Sequence, residues 1–167
     1  MPLRRVFLSL GSNIGDRSTH LEAAITALER EHIRVISRSS IYETEPQDVA
    51  DQPWFLNMVV ECESHCFPRQ MLRIVQRIER DIGRTRKDAI PRGPRIIDID
   101  ILLLGSIVME TDQLTIPHPR MFDRRFVLEP LLEIAPEARH PRSKEPIGRY
   151  VAGVARQKVK KFTPRTR

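Results

Sequence analysis

The chain is predicted to be an α+β sandwich of the ferredoxin-like type, an antiparallel sheet with helices packed on one face. Three features of the sequence point to it. Apolar residues alternate at period two in four separate stretches, two segments between them repeat apolar residues at helical spacing, and the order is strand, helix, strand, strand, helix, strand. With 167 residues, 40% hydrophobic and 30% charged, the chain suits one domain with a substantial core.

Val6 to Leu10 is a short apolar run that ends in Gly11, Ser12 and Asn13 followed by Gly15 and Asp16, the pattern of a strand entering a tight turn. Asp16 or Ser18 can cap the helix that follows, in which Leu21, Ala24, Ile25 and Leu28 form one apolar stripe. The β-branched Ile33, Val35 and Ile41 favour a strand over 33–42. The polar stretch from Glu43 to Pro53 is too long for a tight hairpin. In the next strand, Trp54 to Glu61, Leu56, Met58, Val60 and Cys62 share one face, and Phe55, Asn57 and Val59 the other. The Asn57 amide beside Phe55 is either a satisfied structural group or the recognition edge for a flat heterocycle.

Pro68 suits a first helical position, and Met71, Leu72, Val75, Ile78 and Ile82 carry that helix to Gly83. Gln76 and Glu79 lie on its last turns, by default on a solvated face. Arg84, Arg86, Lys87, Arg92 and Arg95 then crowd a loop punctuated by Pro91 and Pro94. Arginine forks match phosphate oxygens, although a solvated basic loop has the same composition.

The run GPRIIDIDILLLG, Gly93 to Gly105, sets charge inside the most apolar segment of the chain. Period two puts Ile97, Ile99, Ile101 and Leu103 on one face and Ile96, Asp98, Asp100, Leu102 and Leu104 on the other. The two aspartate Cβ atoms are then roughly 6.5–7 Å apart, within reach of one divalent ion or two adjacent ones. Pairing with nearby arginines, or a wet strand end, would also satisfy them. Carboxylates for magnesium beside arginines for phosphate are the equipment of phosphoryl transfer. Further on, Ile107 to Met109 can pair with Leu114 to Ile116. Pro117 and Pro119 hold His118 extended and exposed, where its imidazole could serve a phosphate, and a helix is expected over 121–133.

The net charge of +6 is unevenly placed. Pro146 to Arg167 holds seven basic residues and no acidic one, and without them 21 basic residues face 22 acidic, a body of net charge −1. The charge therefore argues against a nucleic-acid-binding face across the domain. Residues 1–155 are expected to form the domain and 156–167 a disordered basic tail with weak, nonspecific nucleic-acid contact as its sharper reading. Apolar runs are too short for a membrane span, and Cys62 and Cys66 lack the partners of a zinc site and suit free thiols in a reducing cytoplasm.

Six stretches together resemble the hydroxymethyldihydropterin pyrophosphokinase family: LGSNIGD from Leu10 to Asp16, YETEP from Tyr42 to Pro46, DQPWFLN from Asp51 to Asn57, IERDIGRTR from Ile78 to Arg86, the Gly93 to Gly105 run, and IPHPRMFDRRFVLEPL from Ile116 to Leu131. The resemblance implies transfer of pyrophosphate from ATP to 6-hydroxymethyl-7,8-dihydropterin in folate biosynthesis. It implies Asp98 and Asp100 as ligands of two Mg2+ ions, and catalytic roles for these and for Arg84, Arg86 and Arg95. ATP would meet Gln76, Glu79, Arg84, Arg86, Arg95, Ile101, Thr115, His118 and Arg124. The pterin would meet Thr44, Glu45, Phe55, Asn57, Asp98 and Phe126, in a cytoplasmic monomer with small-molecule partners and no specific nucleic acid. Arg92 stands where some members carry tryptophan, Pro119 where some carry tyrosine and Asp48 where glycine is frequent, and the arginine loop is one residue longer than theirs. An RNA-binding sheet fits poorly, since nine aromatics include no closely spaced stacking pair on a strand. A metal-dependent nuclease built on Asp98, Asp100 and Glu79 is disfavoured by five cations so near the metal.

Overall fold

The computed structural model describes residues 2–83 and 94–164. Its main sheet has the strand order β5-β1-β4-β3-β8, with β2 also paired to β4. These strands are β1 (Arg4–Ser12), β2 (Arg34–Arg38), β3 (Tyr42–Thr44), β4 (Phe55–Ser64), β5 (Asp98–Leu104) and β8 (Val159–Lys161). A separate short ladder joins β6 (Met109–Glu110) to β7 (Thr115–Ile116), as the pairing of those stretches anticipated. All pairings are antiparallel, and the central β1 runs between β4 and β5.

Helices α1 (Arg17–Arg30) and α2 (Pro68–Ile82) pack on one face of the sheet. The Asp16 carboxylate accepts the Thr19 N–H at 3.2 Å and so caps α1, and the Thr19 side chain, followed by that N–H, holds its pKa below the ordinary value. Pro68 opens α2, where the Gln70 side chain accepts the preceding Phe67 N–H at 2.8 Å. Leu21, Leu28, Met71 and Val75 meet Leu8, Leu10, Leu56 and Met58 in the main core. Each side chain of this size removed from water contributes about 1.5–3 kcal/mol.

A second apolar cluster lies on the opposite face. There a 3₁₀ turn (Met121–Asp123), α3 (Arg125–Ile134) and a 3₁₀ segment (Ile147–Val154) cover Val59 and Leu102. That face is thus open over only part of its length. The helix expected over 121–133 is broken at Arg124, whose extended backbone (φ −125°, ψ 108°) separates the 3₁₀ turn from α3.

Three strand-level expectations change. The single strand over 33–42 divides into β2 and β3, because the Ser39 hydroxyl bonds the Ser40 carbonyl at 2.7 Å and accepts the Val59 N–H at 2.9 Å, replacing ladder contacts. In β5 the register slips so that Leu103 pairs with Phe7 and Ile101 with Leu8. This bulge sends Leu103 to the second cluster and Leu104 to the main core, the reverse of strict alternation. The segment from residue 156, expected to be disordered, carries β8, which pairs with β3 from Tyr42↔Lys161 to Thr44↔Val159. Phe162 packs on the main core and its N–H donates to Ile41 O at 2.8 Å, so no boundary falls at 155. Lysines at 160 and 161 discourage edge-to-edge pairing on this outer strand.

Glu133 ties α3 to the strand break by accepting the Ser40 N–H (2.7 Å), the Ser40 hydroxyl (2.8 Å) and the Tyr42 hydroxyl. Burial raises its pKa, but these donors outweigh burial and leave it below the ordinary value of 4.5. The folded chain therefore binds this proton less tightly than the unfolded one, and Glu133 stabilises the fold above about pH 4.5, an effect lost as pH falls through the depressed value. Thermal unfolding of Glu133→Gln across the acid range should show a shallower loss of stability than the wild type. Parallel acid limbs would refute this role.

Candidate active site

The open part of the sheet face forms the floor of a cleft of about 370 Å³. Ser9 and Gly11 on β1, Asn57 on β4 and Asp98 and Asp100 on β5 make that floor. The end of β3 and the segment after it supply one wall with Thr44, Glu45, Gln47 and Asp48. The other wall holds His118, Pro119, Arg120, Arg124 and Phe126. Both aspartates thus reach the cleft from one strand face, as period two requires.

One end of the cleft is built around Asn57, which is only 4% exposed. Its Nδ2 donates to the buried Thr44 hydroxyl at 2.6 Å. A Cβ on Gly11 would stand 2.6 Å from Asn57 Oδ1, so the amide lies where only glycine leaves room. Phe55 and Phe126 also line this cleft, giving apolar rings and an amide edge in one cavity.

The anionic end is different in kind. Burial and the neighbouring Asp98 charge raise the pKa of Asp100, opposed by Arg124 and Arg95. Arg124 Nη1 stands 3.8 Å and His118 Nε2 3.9 Å from the Asp100 carboxylate. Burial and then the Arg124 charge push the His118 pKa down to about 4, so its ring is neutral at physiological pH. Since His118 Nδ1 accepts the Arg120 N–H at 3.1 Å, the ring proton belongs on Nε2, the nitrogen facing Asp100. His118 is half-buried rather than exposed, because its own N–H bonds Leu102 O at 3.0 Å.

Glu79 accepts the Ile99 N–H at 3.1 Å, and burial followed by the Asp98 charge raises its pKa. It lines neither this cleft nor a second cavity of about 290 Å³ that shares Asp100, His118 and Pro119. Ile101 and Thr115 line that second cavity beside Leu72 and Val75, while Gln76 is exposed on α2 and lines neither. Arg84, Arg86 and Arg92 lie outside the described residues. Arg95 lines the cleft, and its Nε is buried without a hydrogen-bond partner among the described residues.

Sequence reasoning missed two groups. Asn13, 2% exposed, accepts the Arg95 N–H at 2.7 Å and donates to Gln52 Oε1 and Pro53 O, both at 2.9 Å. It fastens the segment after β3 to the arginine-bearing segment before β5. In sequence it reads only as a turn residue after Gly11 and Ser12. Arg120 pairs with Asp48 at 3.7 Å between the two cleft walls, a contact with no local signal.

Two carboxylates on one strand face, beside a guanidinium nitrogen that has no hydrogen-bond partner among the described residues, fit a hard cation carrying phosphates. Among the described residues no group of three or more acidic, histidine or cysteine side chains has the geometry of a metal site. A magnesium ion bound through one or two carboxylates and substrate phosphates does not require one.

A family profile described as 7,8-dihydro-6-hydroxymethylpterin-pyrophosphokinase (HPPK) matches residues 7–136. The chain is 47% identical over 129 residues to the 2-amino-4-hydroxy-6-hydroxymethyldihydropteridine pyrophosphokinase of Bacillus subtilis, covering 77% of this chain and 76% of that protein. To the enzyme of that name from Aquifex aeolicus it is 38% identical over 145 residues, covering 87% and 89%. It is 44% identical to the folic acid synthesis protein fol1 of Schizosaccharomyces pombe over 84% of this chain but only 19% of that longer protein. A crystal structure of Plasmodium falciparum HPPK-DHPS with pteroate superposes with a TM-score of 0.70 at 17% identity, over 91% of this chain and 42% of that one, which establishes a shared fold. With a matched profile over most of its length and relatives of this identity, the chain belongs to the 7,8-dihydro-6-hydroxymethylpterin-pyrophosphokinase family and is by class a diphosphotransferase.

Proposed function

We propose that the chain transfers a pyrophosphoryl group from ATP to the hydroxymethyl group of 6-hydroxymethyl-7,8-dihydropterin in folate biosynthesis, releasing AMP. The observation that carries this is the placement of Asp98 and Asp100 on the floor between the Phe55/Asn57/Phe126 end of the cleft and the cavity containing Ile101 and Thr115. The pterin stacks on Phe55 and Phe126, with its edge on Asn57 and the backbone at Thr44 and Glu45. ATP lies along Ile101, Thr115, His118, Arg124 and Arg95, with Gln76, Glu79, Arg84 and Arg86 assigned to the same nucleotide.

The pterin hydroxyl oxygen attacks the β-phosphorus, the bond from that phosphorus to the α-phosphate oxygen breaks, and AMP leaves with that oxygen. The hydroxyl proton passes to solvent or to a cleft carboxylate. Asp98 and Asp100 would hold two Mg2+ ions, which supply charge neutralisation on the phosphates when bound. Arg95 and Arg124 orient phosphate oxygens, and neutral His118 donates from Nε2 without adding charge. Cys62 and Cys66, both free, support a cytoplasmic setting.

The test is nucleotide separation after mixing the chain with MgATP and the dihydropterin. AMP formed only when the pterin is present is expected. ADP, or AMP formed equally without the pterin, would overturn the reading.

A further inference from the structure

Residues 155–162 lie beyond the matched family profile, yet they touch both walls of the cleft. On the β3 side, the Glu45 N–H donates to Lys158 O at 3.3 Å and the Glu45 carboxylate accepts the Lys158 N–H at 3.0 Å. On the α3 side, the contact is made by Gln157. Its Oε1 accepts the Arg125 N–H at 2.8 Å and its Nε2 donates to Asp123 O at 2.7 Å. Arg125 returns the contact through Nη1, which donates to Gln157 O at 2.8 Å and Ala155 O at 3.3 Å.

The two groups gripped by the Gln157 amide are the peptide units on either side of Arg124. Arg124 occupies the N-cap position of α3 and makes no side-chain capping bond of its own. The first orphan N–H of the helix is therefore satisfied from a distant segment. Fixing both flanking peptides fixes the direction in which the Arg124 side chain leaves the backbone. That side chain lies over the Phe126 ring, 5.4 Å from its centroid, and reaches within 3.8 Å of Asp100. The orientation of the amide is set by its neighbours, since an N–H needs an acceptor and a carbonyl needs a donor.

We propose that Gln157 is a positioning residue for Arg124, holding its guanidinium over Phe126 and toward Asp100 from a segment outside the matched family profile. The inference rests on the function proposed above, in which Arg124 orients the ATP phosphates. Pairing of β8 with β3 anchors the segment, and Gln157 transmits that anchorage to the cleft.

The experiment compares turnover of the full chain with Gln157→Ala, Arg124→Ala and the double variant, using AMP release as readout and thermal unfolding as control. Gln157→Ala should lower kcat by about tenfold or more, as displacement of a substrate-positioning group does. In the Arg124→Ala background the same change should have no further effect on kcat. Gln157→Glu keeps the acceptor for Arg125 N–H and loses the donor to Asp123 O, so it should fall between the wild type and Gln157→Ala. Equal losses in both backgrounds, or wild-type turnover in Gln157→Ala, would overturn the inference while leaving the proposed function standing. A wild-type chain that forms no AMP with the pterin would overturn both.

Discussion

Asp100→Ala should lower turnover by on the order of a hundredfold or more without loss of the fold. The carboxylate lies on the cleft floor rather than in either apolar cluster. Among the described residues it makes no backbone contact that the sheet depends on, since β5 is held by its ladder with β1. Its raised pKa gives the sign of its effect on the metal-free fold: the folded chain binds this proton more tightly than the unfolded one. Stability from this group is therefore fully present below about pH 3.8 and is lost as pH rises through the raised value. At neutral pH the metal-free variant should consequently unfold no earlier than the wild type. A non-hydrolysable ATP analogue with magnesium should raise the melting temperature of the wild type and much less that of the variant. Near-normal turnover, or equal stabilisation of both proteins, would remove Asp100 from the phosphate site.

The parts of this site visible in sequence are those that strand periodicity controls. Phe55 and Asn57 fall on one face of β4, and Asp98 and Asp100 on one face of β5, because alternation is a local property of an extended chain. Alternation ceased to hold where a neighbour imposed a bulge: Leu103 and Leu104 exchange faces because of pairing with Phe7 and Leu8, ninety-odd residues earlier. Long-range contacts were equally invisible. Asn13 meets Arg95, and Gln157 meets Asp123 and Arg125, through hydrogen bonds that no spacing rule encodes. The terminal segment was misread for a compositional reason, since its many cations hide Val159 and Phe162, the apolar residues that let it join the sheet edge. Glu79 lies between these cases. Its helical position was legible, but its bond to Ile99 N and its place beside Asp98 follow from how α2 crosses β5.

Gly11→Ala should weaken use of the pterin by about a hundredfold in kcat/KM while leaving nucleotide binding close to normal. Alanine is no worse than glycine for a strand backbone, and Gly11 sits within the β1 ladder opposite Asn57 and Asp98. The added methyl would meet Asn57 Oδ1 at 2.6 Å, well inside contact distance, so the amide must turn or the strands must part. Turning it costs the 2.6 Å bond to Thr44 in a site where both residues are buried. That cost is about 1–3 kcal/mol for a hydroxyl left without its partner. The more serious result is misdirection of the amide edge toward the heterocycle, because a site built to hydrogen-bond its substrate loses discrimination when one partner is displaced. Asn57→Ala should reproduce the loss of pterin use without the overpacking, which separates recognition from strain. If Gly11→Ala bound the dihydropterin as tightly as the wild type in a titration, the amide would not be the group that selects this substrate, and the Phe55 and Phe126 rings would have to carry that selection alone.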